Sequence, residues 1–161
     1  MLVLNGHWEE EIKEAFDMKG MYKHDRIKFL QTIWEMSQTA FDSPREIQVV
    51  IDSNNELFIS VGSISFVSFT NDEEVVGMKL PVKCWIHTHP FGKAYFSGTD
   101  MRTINTWKSV MLSAIVLGDN EHQTWMQSRN IMEHHSYKKI RKIPFGSSYD
   151  IAQQLQELEE E

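Results

Sequence analysis

The stretch that decides the fold is "KCWIHTHPFGKAYFSGTDMRT", Lys83–Thr103. Its first part, "KCWIH", predicts a β-strand, and Pro90 ends that strand because proline cannot donate to a strand ladder. Side chains alternate along a strand, so His87 and His89 project from the same side, about 7 Å apart at about 3.3 Å per residue. After a loop, "DMRTINTWKS" predicts a short helix that begins near Asp100 and crosses to the next strand.

The regions on either side of this stretch predict further strands and helices. "EIQVVIDSNNELFISVGSISFVSF" contains two β-rich runs around the turn cluster "DSNN", which predicts a hairpin, and "VMLSAIVLG" and "QTWMQSRN" predict two more strands. "HDRIKFLQTIWEMSQTAF" has apolar residues near a 3.6-residue period, which is typical of an amphipathic helix. Two more helices are predicted at residues 7–20 and at the acidic C-terminal residues 147–161. Together these elements predict an α/β (α+β) fold in a single domain, residues 1–161, with a mixed central sheet flanked by helices.

The composition argues against several classes of protein. A chain of 161 residues, 41% hydrophobic and 24% charged, is typical of one globular domain. Its formal charge of −7 disfavours a nucleic-acid-binding protein, which needs a basic face. The first residues do not show the basic segment and apolar run that are typical of a secretory leader, no apolar run reaches about 18 residues, and Cys84 is the single cysteine. We therefore expect no membrane contact and a reduced, cytoplasmic location.

The two histidines and the aspartate of the opening stretch are suited to binding a metal ion. Zinc binds imidazole nitrogens and carboxylate oxygens, and a catalytic zinc site takes three protein ligands and leaves a fourth position for water. Each half of the pattern also has a simpler explanation. An H-x-H pair can be a hydrogen-bonded surface pair, and Ser97 with Asp100 can form a capping box. Both halves in one span favour a metal site, and capping by Ser97 does not prevent Asp100 from binding a metal.

The span resembles the JAMM/MPN+ (JAB domain) family of zinc metalloproteases, whose signature is an upstream glutamate followed by H-x-H-P-x6-S-x-x-D. The resemblance covers roughly residues 26–130 and implies an MPN/JAB-like domain. Every fixed position of the downstream signature is present, as His87, His89, Pro90, Ser97 and Asp100.

The resemblance implies a role for each motif residue. His87, His89 and Asp100 would bind one zinc ion per chain, and a zinc-bound water would be the nucleophile. Ser97 would stabilise the oxyanion of the tetrahedral intermediate. These roles would make the protein a metalloprotease.

The resemblance also implies a glutamate as general base at the start of the first core strand. "SPREIQVVID" places Glu46 at that position. Two other glutamates compete for the role: Glu56, at the start of the next strand, and Glu35, on the preceding helix, which we expect to face the wrong way.

The activity implied by the resemblance is hydrolysis of the amide or isopeptide bond after the C-terminal tail of ubiquitin or a ubiquitin-like protein, as in a deubiquitinase. That tail would lie along a sheet edge as an added strand, and Phe91, Phe96 and Trp107 are candidates for flanking the substrate cleft. Two alternatives stay open. One is a JAB peptidase that acts on sulfur-carrier proteins or phage-assembly substrates, and the other is a non-catalytic MPN scaffold that forms a homodimer or joins a complex.

A second, structural zinc site is disfavoured. Its candidate ligands would be His122, His134, His135 and Cys84. Adjacent residues on a strand point to opposite faces, so His134 and His135 would diverge, and Cys84 should face away from His87.

Overall fold

The computed structural model describes residues 2–17, 23–62, 77–128 and 131–136. These residues form three helices and six strands, which confirms the predicted α+β class with a mixed sheet. In chain order the elements are α1 (Trp8–Asp17), α2 (Lys23–Thr39), β1 (Ile47–Ile51), β2 (Leu57–Val61), β3 (Cys84–Thr88), α3 (Gly98–Trp107), β4 (Ser113–Gly118), β5 (Glu121–Met126) and β6 (Ile131–Ser136).

The six strands lie in one sheet in the order β2-β1-β3-β4-β5-β6. Strand β3 pairs with β4 in parallel, and every other neighbouring pair is antiparallel. A parallel pair needs a crossover connection, and α3 supplies it, as the sequence predicts. The motif strand β3 is therefore central, with its carboxyl end beside the start of β1 and the loop that leads into α3.

Helices cover both faces of the sheet. One face packs against α1 and α2 in a core that includes Ile12, Leu30, Ile33, Val49 and Ile86. The other face packs against α3 in a second core that includes Val50, Trp85, Ile104, Ala114 and Trp125. Residues that alternate along β1 and β3 enter the two cores in turn, because successive side chains of a strand point to opposite faces.

The β1–β2 hairpin turns at the predicted "DSNN" cluster. The Asp52 carboxylate is fully buried and accepts hydrogen bonds from the backbone N–H groups of Asn54 and Glu56, both at 2.9 Å, and of Lys79, at 3.0 Å. Asn55 adopts a left-handed conformation, with φ of 62°, which asparagine tolerates better than most residues. The carboxylate thus fixes the turn and attaches the chain near Lys79 to it.

Several predictions have a different extent or lie outside the described residues. Helix α1 occupies most of the predicted 7–20 segment. Strand β5 begins earlier than "QTWMQSRN", at Glu121, and it ends at Met126 because residues 127–128 form a turn. The predicted helix at 147–161 and the end of the second β-rich run, residues 63–69, lie outside the described residues. Within the described part of the chain, no helix has the length and apolar character needed to cross a lipid bilayer.

Candidate metal centre

The two motif histidines lie at the carboxyl end of β3. His87 is fully buried within the strand, and His89 follows its last residue, where its backbone N–H still donates to the Leu117 carbonyl at 2.8 Å. The side-chain oxygen of Thr88, between the histidines, accepts a hydrogen bond from the Ile47 N–H at 2.9 Å. This bond fastens the start of β1 to the end of β3.

Asp100 reaches the histidines from the first turn of α3. Its Oδ2 atom lies 3.0 Å from His87 Nε2 and 3.1 Å from His89 Nε2. The loop between His89 and Asp100 therefore turns back, and the strand end and the helix start meet as the metal-site prediction requires.

The three side chains are arranged for one metal ion. Their ligand atoms all lie within 4.8 Å of one another, and no other group of three among the described residues meets that condition. In an ideal tetrahedron with metal–ligand distances of about 2.1 Å, neighbouring ligand atoms are about 3.4 Å apart, a few tenths of an ångström more than the observed 3.0 and 3.1 Å. His87 Nε2 is buried and makes no aligned hydrogen bond in the described residues, so no protein group competes there with an ion. The group can bind a metal ion.

The electrostatic state of these groups suits metal binding. Burial lowers the pKa of His87, and the neighbouring Asp100 carboxylate only partly offsets that effect. Burial also acts to raise the pKa of Asp100, but contacts with the two imidazoles outweigh it and hold that pKa well below its usual value. At neutral pH the centre therefore presents an uncharged His87 and an ionised Asp100, the protonation states in which these side chains bind metals.

His89 differs from His87 because it is partly exposed, at 18% of its side-chain surface. Burial acts to lower its pKa, but the hydrogen bond to Asp100 and the charges of Asp100 and Glu46 outweigh burial and raise it. His89 therefore carries a second ring proton more often than His87 does, and a metal ion has to displace that proton in order to bind.

Ser97 forms the capping box that the sequence offered as an alternative explanation. Its Oγ accepts from the Asp100 N–H at 3.1 Å, and its own N–H donates to Asp100 Oδ2 at 2.9 Å. The box fixes the Asp100 carboxylate toward the histidines. A hydroxyl has one donor and two acceptor positions, so the Ser97 O–H proton remains able to donate to another group.

Glu46 directly precedes β1, and its carbonyl accepts from the Gly62 N–H at 2.8 Å. Burial raises the pKa of its half-buried carboxyl group, with His89 acting to lower that pKa and Asp100 to raise it. These interactions place the Glu46 charge within electrostatic reach of the metal centre.

The two competing glutamates are placed elsewhere. Glu56 is exposed in the β1–β2 turn, at the end of β1 opposite to Glu46, and Glu35 is exposed on α2. The structure therefore places Glu56 away from the histidines, whereas Glu46 lies at their end of the sheet and its charge interacts with those of His89 and Asp100.

The loop between His89 and α3, residues 90–97, is fastened by polar side chains that the sequence did not single out. Glu121 accepts from the Ala94 N–H at 2.8 Å, and Gln123 accepts from the Phe96 N–H at 3.1 Å. Gly118 allows close approach of the loop, since a Cβ there would lie 2.3 Å from the Ala94 backbone nitrogen. Glu121 and Gln123 are two residues apart on β5, so they lie on the same face of the strand. That spacing was the only sign in the sequence that both would bind the loop.

Aromatic side chains border the centre. Tyr95 is 56% exposed and meets the edge of the His89 ring at 5.2 Å between centroids, and Phe91 is 82% exposed. Phe96 is partly buried, 6.3 Å from the His87 ring, whereas Trp107, the last residue of α3, is partly buried against the second core. Of the three predicted cleft residues, Phe91 and Phe96 lie on this loop, and Tyr95 was missed.

Three further histidines, His122, His134 and His135, lie on β5 and β6. His122 and His135 stack at 4.5 Å between ring centroids, and burial together with His135 lowers the pKa of His122 to about 4. His134 instead contacts Glu121, at 2.8 Å. His134 and His135 therefore diverge as expected, and Cys84 is buried in the core opposite to His87.

Comparisons of the chain with protein-family models, with curated proteins and with solved structures found no match.

Proposed function

We propose that the protein is a zinc-dependent isopeptidase or peptidase that hydrolyses the amide bond after the C-terminal tail of ubiquitin or a ubiquitin-like protein. The observation that carries the proposal is the convergence of His87 Nε2 and His89 Nε2 on Asp100 Oδ2, at 3.0 and 3.1 Å. The resemblance of the motif to the JAMM/MPN+ family supports the same reaction.

The ligand set favours a catalytic zinc ion, one per chain. Two imidazole nitrogens and one carboxylate oxygen are ligands that zinc prefers, and His87, His89 and Asp100 form a group of three. Structural zinc sites are normally closed by four protein ligands, whereas a catalytic site keeps one position open. A three-ligand centre that is partly exposed at His89 fits the catalytic type.

A zinc ion bound by these residues would supply Lewis-acid chemistry, lowering the pKa of water from 15.7 to about 7 and polarising the scissile carbonyl. Glu46 accepts a proton from the attacking water and passes it to the leaving amine. Its raised pKa suits this task, because a general base works best when its pKa approaches the operating pH. The Ser97 hydroxyl donates to the oxyanion that develops on the substrate carbonyl, while its lone pair keeps the Asp100 N–H.

The surroundings of the centre are consistent with a peptide substrate. Tyr95 exposes apolar surface against the His89 ring, and Phe91 is exposed on the same loop, so an extended tail can lie against these rings. The formal charge of −7 disfavours a nucleic-acid substrate. Assembly as a homodimer or as a complex subunit is compatible with this role, as is a location in the cytoplasm.

The test is a cleavage panel with zinc-loaded protein. Linear ubiquitin fusions, isopeptide-linked di-ubiquitin, sulfur-carrier fusions and phage-assembly peptides are incubated with the parent, His89→Ala and the control His7→Ala, an exposed histidine before α1. Cleavage after a ubiquitin-like tail by the parent and by His7→Ala, but not by His89→Ala, supports the proposal. Cleavage of only the sulfur-carrier or phage substrates transfers the function to that alternative, and no cleavage of any substrate by zinc-loaded protein favours the scaffold.

A further inference from the structure

Gln48 is a polar side chain buried inside an otherwise apolar strand. It is 2% exposed in β1, whose other members are Ile47, Val49, Val50 and Ile51. In the sheet register Gln48 lies directly opposite His87 on β3. Cross-strand partners project on the same face, so Gln48 and His87 share the α3 side of the sheet.

Gln48 makes one side-chain hydrogen bond among the described residues. Its Oε1 accepts from the Trp85 indole Nε1–H at 2.8 Å, and both side chains are buried. The other end of the amide, Nε2, is buried without a hydrogen-bond partner in the described part of the chain. Burying an amide group without a hydrogen-bond partner costs free energy, and an apolar side chain of the same size would avoid that cost. The contribution that only Gln48 makes is therefore the hydrogen bond to Trp85.

Trp85 links the hydrogen bond of Gln48 to the metal centre, because its ring contacts His87. Its ring stacks on the His87 imidazole with 4.4 Å between centroids and 14° between planes. His87 has no hydrogen-bond partner at Nδ1 in the described residues, so no polar contact there sets the angle of its ring. The rings of His89 and Phe96 also contact His87, at 5.1 and 6.3 Å between centroids, but the indole is nearer and is the one that stacks on the imidazole, so it is best placed to fix the plane of that ring.

We propose that Gln48 is a positioning residue for the metal centre, acting through Trp85 on the orientation of His87. This inference rests on the proposed function. Metal-binding histidines usually have their ring orientation fixed by a hydrogen bond from the second nitrogen to an outer group. In this chain a hydrogen-bonded indole takes the place of that bond. Gln48 fixes the Trp85 indole by a hydrogen bond, and the indole fixes the plane of the His87 imidazole by stacking on it. Nε2 of that imidazole would then point at a bound metal ion.

The test is the affinity and absorption spectrum of Co²⁺ bound to chelator-treated protein. The variants are Gln48→Met, which removes the acceptor, Trp85→Phe, which keeps a ring and removes the donor, and the double variant. Ile115→Val is the control for lost packing, because Ile115 lies in the core on the opposite face, against α1 and α2. Circular dichroism and thermal unfolding establish that each variant folds, and Trp85→Phe tests the same bond if Gln48→Met does not.

Each single variant is expected to bind Co²⁺ about 10- to 100-fold more weakly than the parent, with shifted visible bands, as for the loss of other outer contacts to metal ligands. The double variant should bind Co²⁺ with no lower affinity than the weaker-binding single variant, because both substitutions remove the same hydrogen bond. Ile115→Val should keep the parent's affinity and spectrum.

Folded variants with the parent's affinity and spectrum would overturn the positioning role and leave the proposed function standing. A parent that binds no Co²⁺ would overturn both. A parent that binds Co²⁺, weakened in the variants, but hydrolyses nothing when loaded with zinc would refute the proposed function alone.

Discussion

Replacing Glu46 with glutamine keeps the size of the side chain and removes its charge and its basicity. If Glu46 transfers the proton, Glu46→Gln should lower the turnover number by about 10²- to 10⁴-fold, the range that positioned general bases contribute. At 1.36 kcal/mol per tenfold change, this is about 3 to 5 kcal/mol of transition-state free energy. The metal ligands are untouched, so the variant should still bind one zinc ion.

The same substitution should not destabilise the metal-free protein. Burial raises the pKa of Glu46, so its carboxyl group binds a proton more readily in the folded state than in the unfolded state. For a carboxyl group with a raised pKa, the contribution to stability is greatest below the unfolded pKa of about 4.3 and is lost as the pH rises. At pH 7 glutamine removes this penalty, and the melting temperature of Glu46→Gln should equal or exceed that of the parent. Turnover of the parent should correspondingly fall as the pH drops through the raised pKa of Glu46.

The assay measures turnover, zinc content and thermal unfolding on the same preparations, with Glu56→Gln as the matched control. Glu56 is exposed at the opposite end of β1, so its substitution should leave all three quantities unchanged. Full turnover in zinc-loaded Glu46→Gln would refute the assignment of the base. Loss in Glu56→Gln instead would move the role to that residue.

Three further predictions concern the metal, the capping serine and the hairpin turn. Chelation of the metal should abolish hydrolysis and leave the far-ultraviolet circular dichroism unchanged, because two packed cores hold the fold; unfolding would identify a structural site. Ser97→Ala and Ser97→Gly should both lower turnover by about 10²- to 10³-fold. Chemical denaturation should show that only the alanine variant loses about 1 kcal/mol of unfolding free energy, since glycine is a tolerated N-cap. Full turnover in the glycine variant would mean that Ser97 acts only as the helix cap. Asp52→Asn should lower the unfolding free energy at pH 7 by about 1 to 3 kcal/mol, because an amide group replaces the oxygen that accepts from Lys79. Burial acts to raise the pKa of Asp52 but its three amide donors outweigh burial and lower it, so this difference should shrink as the pH falls below about 4; a difference that is constant with pH would contradict the argument.

The sequence predicts those parts of the centre that depend on local pattern. Alternation along β3 places His87 and His89 on one side, Pro90 ends the strand, and the S-x-x-D pattern predicts the cap that orients Asp100. Each of these features is set by residues close together in the chain. The crossover helix also follows locally, from a short helical pattern between two buried strands.

The contacts that surround the centre depend on strand register and could not be read from local pattern. Gln48 lies opposite His87, and Gln123 contacts the loop before α3, only because of how β1 and β5 align with their neighbours. A buried glutamine in "IQVVI" was a signal of a specific contact, but its partner, Trp85, becomes evident only from the pairing of β1 with β3.

The most direct test of the central claim is the zinc content of the purified protein, measured by elemental analysis for the parent beside His89→Ala, with cleavage assayed on the same samples. The account predicts about one zinc ion per parent chain, and the loss of both zinc and cleavage in the variant. A parent chain that binds no zinc after reconstitution, or a His89→Ala variant that keeps both zinc and cleavage, would contradict it.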